Sequence, residues 1–166
     1  MRVPSPRKQR AGAEPFNRHV PGVRYGILDE LAGYAVRRAQ IAIYEDLGRV
    51  MAPLKITPPR FSALVLIEQN PGILQSELAT IIGVGRPAMV AIIDFLQAQG
   101  WLRRQAHDGD RRANHLVLTP KGLTHLTRVK GVMAELDDAW TSRLSATERR
   151  TLMALLDKMG PREPAG

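Results

Sequence analysis

Trp101–Gly122, WLRRQAHDGDRRANHLVLTPKG, is the stretch that decides the fold. Trp101–Gln105 and Asn114–Leu118 are two short segments of strand character. Between them, His107-Asp108-Gly109-Asp110 carries a glycine that supplies the positive φ of a tight turn. Arg111 and Arg112 come directly after that turn, where their side chains project from a hairpin tip. Thr119-Pro120 closes the second strand and opens a helix, with Thr119 as N-cap and Pro120 at the first helical position. The segment therefore predicts a cationic two-stranded wing running straight into a helix.

Upstream, Gln75-Ser76-Glu77-Leu78-Ala79 … Gly83-Val84-Gly85-Arg86-Pro87-Ala88-Met89-Val90 reads as a helix-turn-helix. Ala79 is small where two helices must cross closely, Gly83 reverses the chain, and Val84 fills the gap between the helices. The second helix, Arg86–Gln99, stops at Gly100, a residue suited to a C-terminal cap. Met89, Ile92, Ile93 and Leu96 form its inner stripe. Ala88, Val90, Ala91, Phe95 and Gln99 are expected on the outer face, with Phe95 packing near the wing base around Trp101. A helix-turn-helix followed by a basic wing is a device for reading duplex DNA.

Long helices flank this unit. Tyr25 to about Met51 reads as one helix with Leu28, Leu31, Ala35, Ala39 and Ala42 along a face that Ile27, Tyr34, Ile41 and Ile43 widen. Pro53 and Pro58-Pro59 bracket a connector. Phe61, Leu64, Val65 and Ile67 then mark a helix that ends near Asn70. Pro120 to about Thr141 carries Leu123, Leu126, Met133, Leu136 and Trp140 at helical spacing. Ser145-Ala146-Thr147-Glu148 is a capping box that opens a last helix with Leu152, Leu155, Leu156 and Met159. The stripes at Leu28 and Leu31, at Leu123, Leu126, Met133 and Leu136, and at Leu152 and Leu155 exceed what one small domain covers, so a homodimer is expected. Its two reading helices, about 34 Å apart, would match a near-palindromic operator.

Composition narrows the function. The chain has 166 residues, no cysteine and a formal net charge of +8. The charge points to a polyanionic partner. Much of it lies in residues 1–24, where Arg2, Arg7, Lys8, Arg10, Arg18 and Arg24 stand against Glu14 alone among four prolines. Without cysteine there are no disulfides, no thiol redox sensing and no thiolate zinc site. His19, His107, His115 and His125 are scattered, so no metal site is expected. No cysteine nucleophile, phosphate-loop or metalloprotease motif points to an enzyme, and no cofactor is implied. With no long apolar run and no apolar stretch after the basic N-terminus, neither a membrane span nor a signal peptide is expected, and the reading is cytoplasmic. The expected architecture is mainly α with a small β-hairpin. It comprises a flexible basic arm (1–24), a dimerisation helix (25–52), a winged helix-turn-helix DNA-binding domain (53–119), C-terminal dimerisation helices (120–160) and a frayed tail (161–166).

From about Leu31 to Met159 the chain resembles the MarR family, the multiple-antibiotic-resistance regulators. The specific part is Asp110-Arg111-Arg112 through Leu118-Thr119-Pro120-Lys121-Gly122, similar to that family's wing pattern of Asp, any residue, Arg, then Leu-Thr-x-x-Gly. The resemblance implies a winged helix-turn-helix homodimer, joined through its first and last two helices. It further implies a repressor whose operator affinity falls when a small, often aromatic, acid or related molecule binds. Carried over by position, Arg112 matches the wing arginine that enters the minor groove. Asp110 matches the aspartate that orients nearby arginines, here Arg112 or Arg86. Gln75 and Ser76 are placed to reach phosphates, Arg86 a base or phosphate, and Val90 and Ala91 thymine methyls, with Pro87 and Ala88 beside them. Leu74 and Gly85 stand where the family often has a Ser or Thr cap.

Effector sites in such proteins lie between the dimer helices and the winged domain. Arg37, Arg38, Tyr44, Arg60 and Phe61 are the candidates here, with Trp140 beside them. An arginine among aromatics suits an aromatic carboxylate or its CoA thioester, whose phosphates Arg49, Lys55 and the arm could also meet. The alternative is a DNA-binding activator or architectural factor with no small ligand. A cavity beside Arg38 and Tyr44 separates the two.

Overall fold

The computed structural model describes residues 16–17, 19–107 and 110–160, and their side chains except those of 106, 107 and 110–114. Six α-helices and one hairpin are described: α1 (Ala32–Met51), α2 (Pro58–Gln69), α3 (Gln75–Ile82), α4 (Arg86–Ala98), β1 (Leu102–His107), β2 (Asp110–Leu118), α5 (Pro120–Thr141) and α6 (Ala146–Leu156). The mainly α architecture with a small β-hairpin is therefore what the chain adopts. The chain divides into two compact units, residues 1–130 and 131–166. Among the described residues, no single helix is long and apolar enough to cross a membrane.

The first unit is built on the helix-turn-helix. Leu64 and Ile67 of α2, Leu78 of α3, and Met89, Ile93 and Leu96 of α4 are almost completely buried, with Leu116 of β2 and Leu126 and Val129 of α5. Removing one such side chain to alanine costs about 2–5 kcal/mol. Gly83 ends α3 in the left-handed conformation, and the Val84 amide reaches back to the Ala79 carbonyl at 3.1 Å. Gly100 ends α4 in the same way, with Trp101 N donating to Leu96 O at 3.0 Å. Both closures match the sequence reading.

The hairpin is antiparallel, with Leu102 opposite Leu118, Arg104 opposite Leu116, and His107 opposite Asp110, and an irregularity between Gln105 and His107. Its strands are longer than the two expected five-residue segments. Asp108 and Gly109, the expected turn, lie outside the described residues. Leu74 bridges to His115, so the segment before α3 adds a short third edge to the wing. His115 Nδ1 donates to Gly72 O at 2.7 Å beside it.

The link from wing to α5 explains why threonine and glycine occur there. Thr119 Oγ1 accepts from Gly122 N at 3.0 Å, as an N-cap should, and donates to Gly100 O at 2.6 Å. A Cβ on Gly122 would overlap the Trp101 carbonyl, so the helix can approach the wing base only with glycine there.

The structure departs from three expectations. The helix expected from Tyr25 is broken. Gly26–Asp29 form a 3₁₀ turn, Gly26 has φ +56°, Leu31 is extended, and α1 starts only at Ala32. Pro58 and Pro59 open α2 rather than close a connector, which suits proline because first-turn amides lack helical partners anyway. Leu126, expected on the association face, is fully buried within the chain, and Leu136 nearly so. Leu28, Leu31, Leu123, half-buried Met133 and the α6 residues remain accessible from those stripes. In the second unit, Ser145 and Glu148 form the expected capping box at α6, and Arg149 pairs with Asp137 and Asp138 of α5.

Candidate DNA-binding face and effector groove

The exposed residues of α4 are Arg86, Pro87, Ala88, Val90, Ala91, Asp94, Gln97 and Ala98. Neither α3 nor α4 has a side-chain N-cap, as Leu74 and Gly85 predicted. At α3, half of a capping box remains, because Glu77 Oε2 accepts from Leu74 N at 2.9 Å. Ser76 is exposed and Gln75 half-buried at the start of α3. Two residues expected on the outer face of α4 lie elsewhere. Phe95 packs edge-on against Trp101, with centroids 6.1 Å apart, as suggested for the wing base. Gln99 Oε1 accepts from Lys55 Nζ at 3.4 Å. The side chains of Asp110, Arg111 and Arg112 lie outside the described ones, so the expected Asp110–Arg contact does too.

The wing is tied to α4 by a pair that the sequence reading missed. Arg104 of β1 reaches Asp94 Oδ1 and Gln97 Oε1, both at 2.7 Å. The tie neutralises the one acid on the outer face of α4, where a bare carboxylate would repel phosphates. An acid on the outer face and a basic strand residue within reach were the available signal.

A groove of about 280 Å³ lies between α1 and the start of α2. Tyr44, Leu47, Gly48 and Met51 of α1 form one wall. Lys55, Ile56, Thr57, Pro58 and Arg60 form the other. Of the five candidate effector residues, the structure brings Tyr44 and Arg60 together here. Phe61 is half-buried and does not line the groove. Arg37 is exposed outside it. Arg38 is engaged elsewhere: its guanidinium donates to His19 Nε2 at 3.0 Å, lies 3.5 Å from Asp29 Oδ1 and stands over the Tyr34 ring. That segment was expected to be part of a loose arm and the first helical turn, so nothing local in the sequence signalled a competitor for Arg38.

Arg60 stacks on α4. Its Cζ lies 3.4 Å from the Phe95 ring centroid, its Nη1 donates to Lys55 O at 3.2 Å, and burial lowers its pKa from the ordinary value. Lys55 has φ +56°, the sole non-glycine with positive φ among the described residues. A larger, shallower depression runs along Asn70, Pro71, Ile73, Glu77, Thr80 and Ile81 and carries no cation.

The comparisons fit this layout. Residues 56–113 match the model of the MarR family. A putative transcriptional regulatory protein for the hcr operon of Thauera aromatica is 32% identical, over 88% of this chain and 89% of that protein. The repressor CouR bound to a 23-mer DNA duplex superposes with a TM-score of 0.78 at 39% identity, over 82% of this chain and 96% of that one. CouR bound to p-coumaroyl-CoA gives 0.72 at 38% identity, over 81% and 95%. The Mycobacterium tuberculosis MarR-family protein Rv2887 in complex with salicylic acid gives 0.63 at 28% identity, over 78% and 96%. With the wing motif, the winged helix-turn-helix and these relatives in agreement, the chain belongs to the MarR family of transcriptional regulators.

Proposed function

We propose that the chain is a homodimeric repressor that holds a near-palindromic operator and releases it when an anionic aromatic compound, or the CoA thioester of one, enters the α1–α2 groove. The observation that carries this reading is the groove itself: a tyrosine and two cations around an apolar floor of Leu47, Met51 and Ile56. An aromatic ring fits the floor, Arg60 suits a carboxylate through its planar fork, and Lys55 at the mouth suits a phosphate. The ligands named for CouR and Rv2887, p-coumaroyl-CoA and salicylic acid, belong to these two chemical classes.

On the DNA side, Gln75 and Ser76 engage phosphates at the start of α3, and Arg86 contacts a base or phosphate. Pro87, Ala88, Val90 and Ala91 line the major groove, while Asp110, Arg111 and Arg112 work at the minor groove. The dimer closes through Leu28 and Leu31 before α1 and through Leu123, Met133, Leu152 and Leu155. Leu28, Leu31, Leu123, Leu152 and Leu155 are each more than a third exposed in the single chain. The protein acts in the cytoplasm.

Thermal-shift titration with benzoate, salicylate, p-coumarate and their CoA thioesters tests the effector reading. A ligand at about a hundredfold excess over its Kd stabilises the native state by about 2.7 kcal/mol, a rise of several degrees. Arg60→Ala should abolish that rise. Failure of every anionic aromatic, together with a shift from a metal ion or a cationic drug, would contradict the proposal.

A further inference from the structure

The two cations of the groove also contact the C-terminal end of α4. Arg60 lies against the face of Phe95, in the last turns of α4, at 3.4 Å. Lys55 donates to the side chain of Gln99, the residue that caps α4, at 3.4 Å. Apart from these, Lys121 Nζ donates to the Gln99 carbonyl at 2.8 Å, and Phe95 rests on Trp101 at the wing base. Lys55 and Arg60 are joined to each other through the Lys55 carbonyl.

A guanidinium stacked on a ring is held by the ring's electron-rich face, a weaker attraction than a paired carboxylate offers. Likewise a lysine on a neutral amide is held less firmly than one on a phosphate or carboxylate. An anion in the groove therefore competes well for both groups.

We propose that Lys55 and Arg60 are the coupling residues of the repressor. An acidic ligand in the groove and the C-terminal turns of α4 compete for the same two cations, so ligand binding loosens the recognition helix from α2. This rests on the groove being the effector site. It adds that the signal passes through Phe95 and Gln99, neither of which lines the groove. The coupling is reciprocal: DNA that fixes α4 keeps the cations on the helix and weakens the ligand.

The test uses Phe95→Leu and Gln99→Ala in the full chain. The probes are salicylate and p-coumaroyl-CoA, and the DNA is a duplex selected from random sequence by the parent. In the parent, saturating probe should raise the operator Kd by about tenfold or more, within the usual range of allosteric coupling. In each variant the free protein should bind probe at least as tightly as the parent, because a cation is no longer shared. The ratio of operator Kd with and without probe should fall towards one. Gln99→Ala guards against a fold defect in Phe95→Leu, since it leaves the buried rings in place.

An NMR signature separates coupling from mere packing. The Arg60 side-chain protons should be shifted upfield by the Phe95 ring in the free parent and return to ordinary values when probe is added. A parent-like Kd ratio in both variants, or unmoved Arg60 resonances on probe binding, would overturn the coupling while leaving the effector site standing. If neither probe binds the parent, the effector reading fails and the coupling fails with it.

Discussion

Gly122 is a single residue on which the join between reader and C-terminal helix depends. Its missing Cβ lets α5 start against the Trp101 carbonyl while Thr119 caps the same turn. Gly122→Ala should destabilise the fold by about 1–3 kcal/mol through forced overpacking, seen as a lower urea midpoint at unchanged slope. An unchanged midpoint would mean that the close approach is absent. Thr119 and Gly122 were legible because their partners lie within one turn or one hairpin of them. Arg60 was legible as a cation near the groove but not as the partner of Phe95, because the two lie on different helices far apart in sequence. The partners of Arg38 were illegible for the same reason: His19 and Asp29 are tertiary neighbours that no local pattern announces. At the wing tip, Arg112→Ala should cost about 1–3 kcal/mol of operator affinity with an unchanged melting curve. Parent-like affinity would remove Arg112 from the interface.

At the scale of elements, α4 presents little charge. Its exposed face offers one cation, Arg86, and otherwise Pro87, Ala88, Val90, Ala91 and Ala98, with Asp94 and Gln97 engaged by Arg104. Sequence preference should therefore come from methyl contacts and DNA shape. Val90→Ala should change the selected sequence at one position per half-site while the slope of log Kd against log salt stays the same, because methyl contacts release no counterions. A changed salt slope with unchanged preference would contradict that role. The α5–wing junction carries a pH dependence. His125 stacks on Trp101 at 3.8 Å, and its pKa is lowered by burial and by nearby Arg128, against a hydrogen bond with Leu54 that raises it. Because the folded pKa lies below the unfolded value, this contribution is full above about pH 6.5 and is lost as pH falls through the folded pKa. Melting temperatures taken from about pH 7.5 down to about pH 5 should fall less for His125→Phe, which keeps the stacking, than for the parent. Equal falls would show that His125 does not titrate this way. The order and type of elements were legible from α2 to α6, since periodicity, the caps at Thr119 and Ser145 and the turn glycines Gly83 and Gly100 agree there. The start of α1 was not. Its apolar spacing continues through a 3₁₀ turn and an extended Leu31, and periodicity does not report where the backbone breaks. Leu126 fitted the association stripe by spacing, yet tertiary packing buried it within the chain.

At the scale of the whole molecule, the single chain leaves apolar helix faces open to solvent, and the proposed reading head would cover one half-site of an operator. Leu28 and Leu31 before α1 and Leu152, Leu155 and Leu156 of α6 are exposed, at a cost in solvated apolar surface that the proposed dimer would relieve. Pairing them is proposed to set the two α4 helices about 34 Å apart, one turn of DNA. A ligand would shift the proposed two-state dimer only as far as its affinities for the two states differ, and a difference of about 3 kcal/mol would give on the order of a hundredfold release. The most direct measurement is fluorescence anisotropy of a labelled operator duplex, titrated with protein and then with p-coumaroyl-CoA or salicylate. The account predicts saturation at two chains per duplex and a fall to the free-duplex value with ligand, a fall that Arg60→Ala lacks. Saturation at one chain, or a complex that no anionic aromatic dissociates, would contradict it.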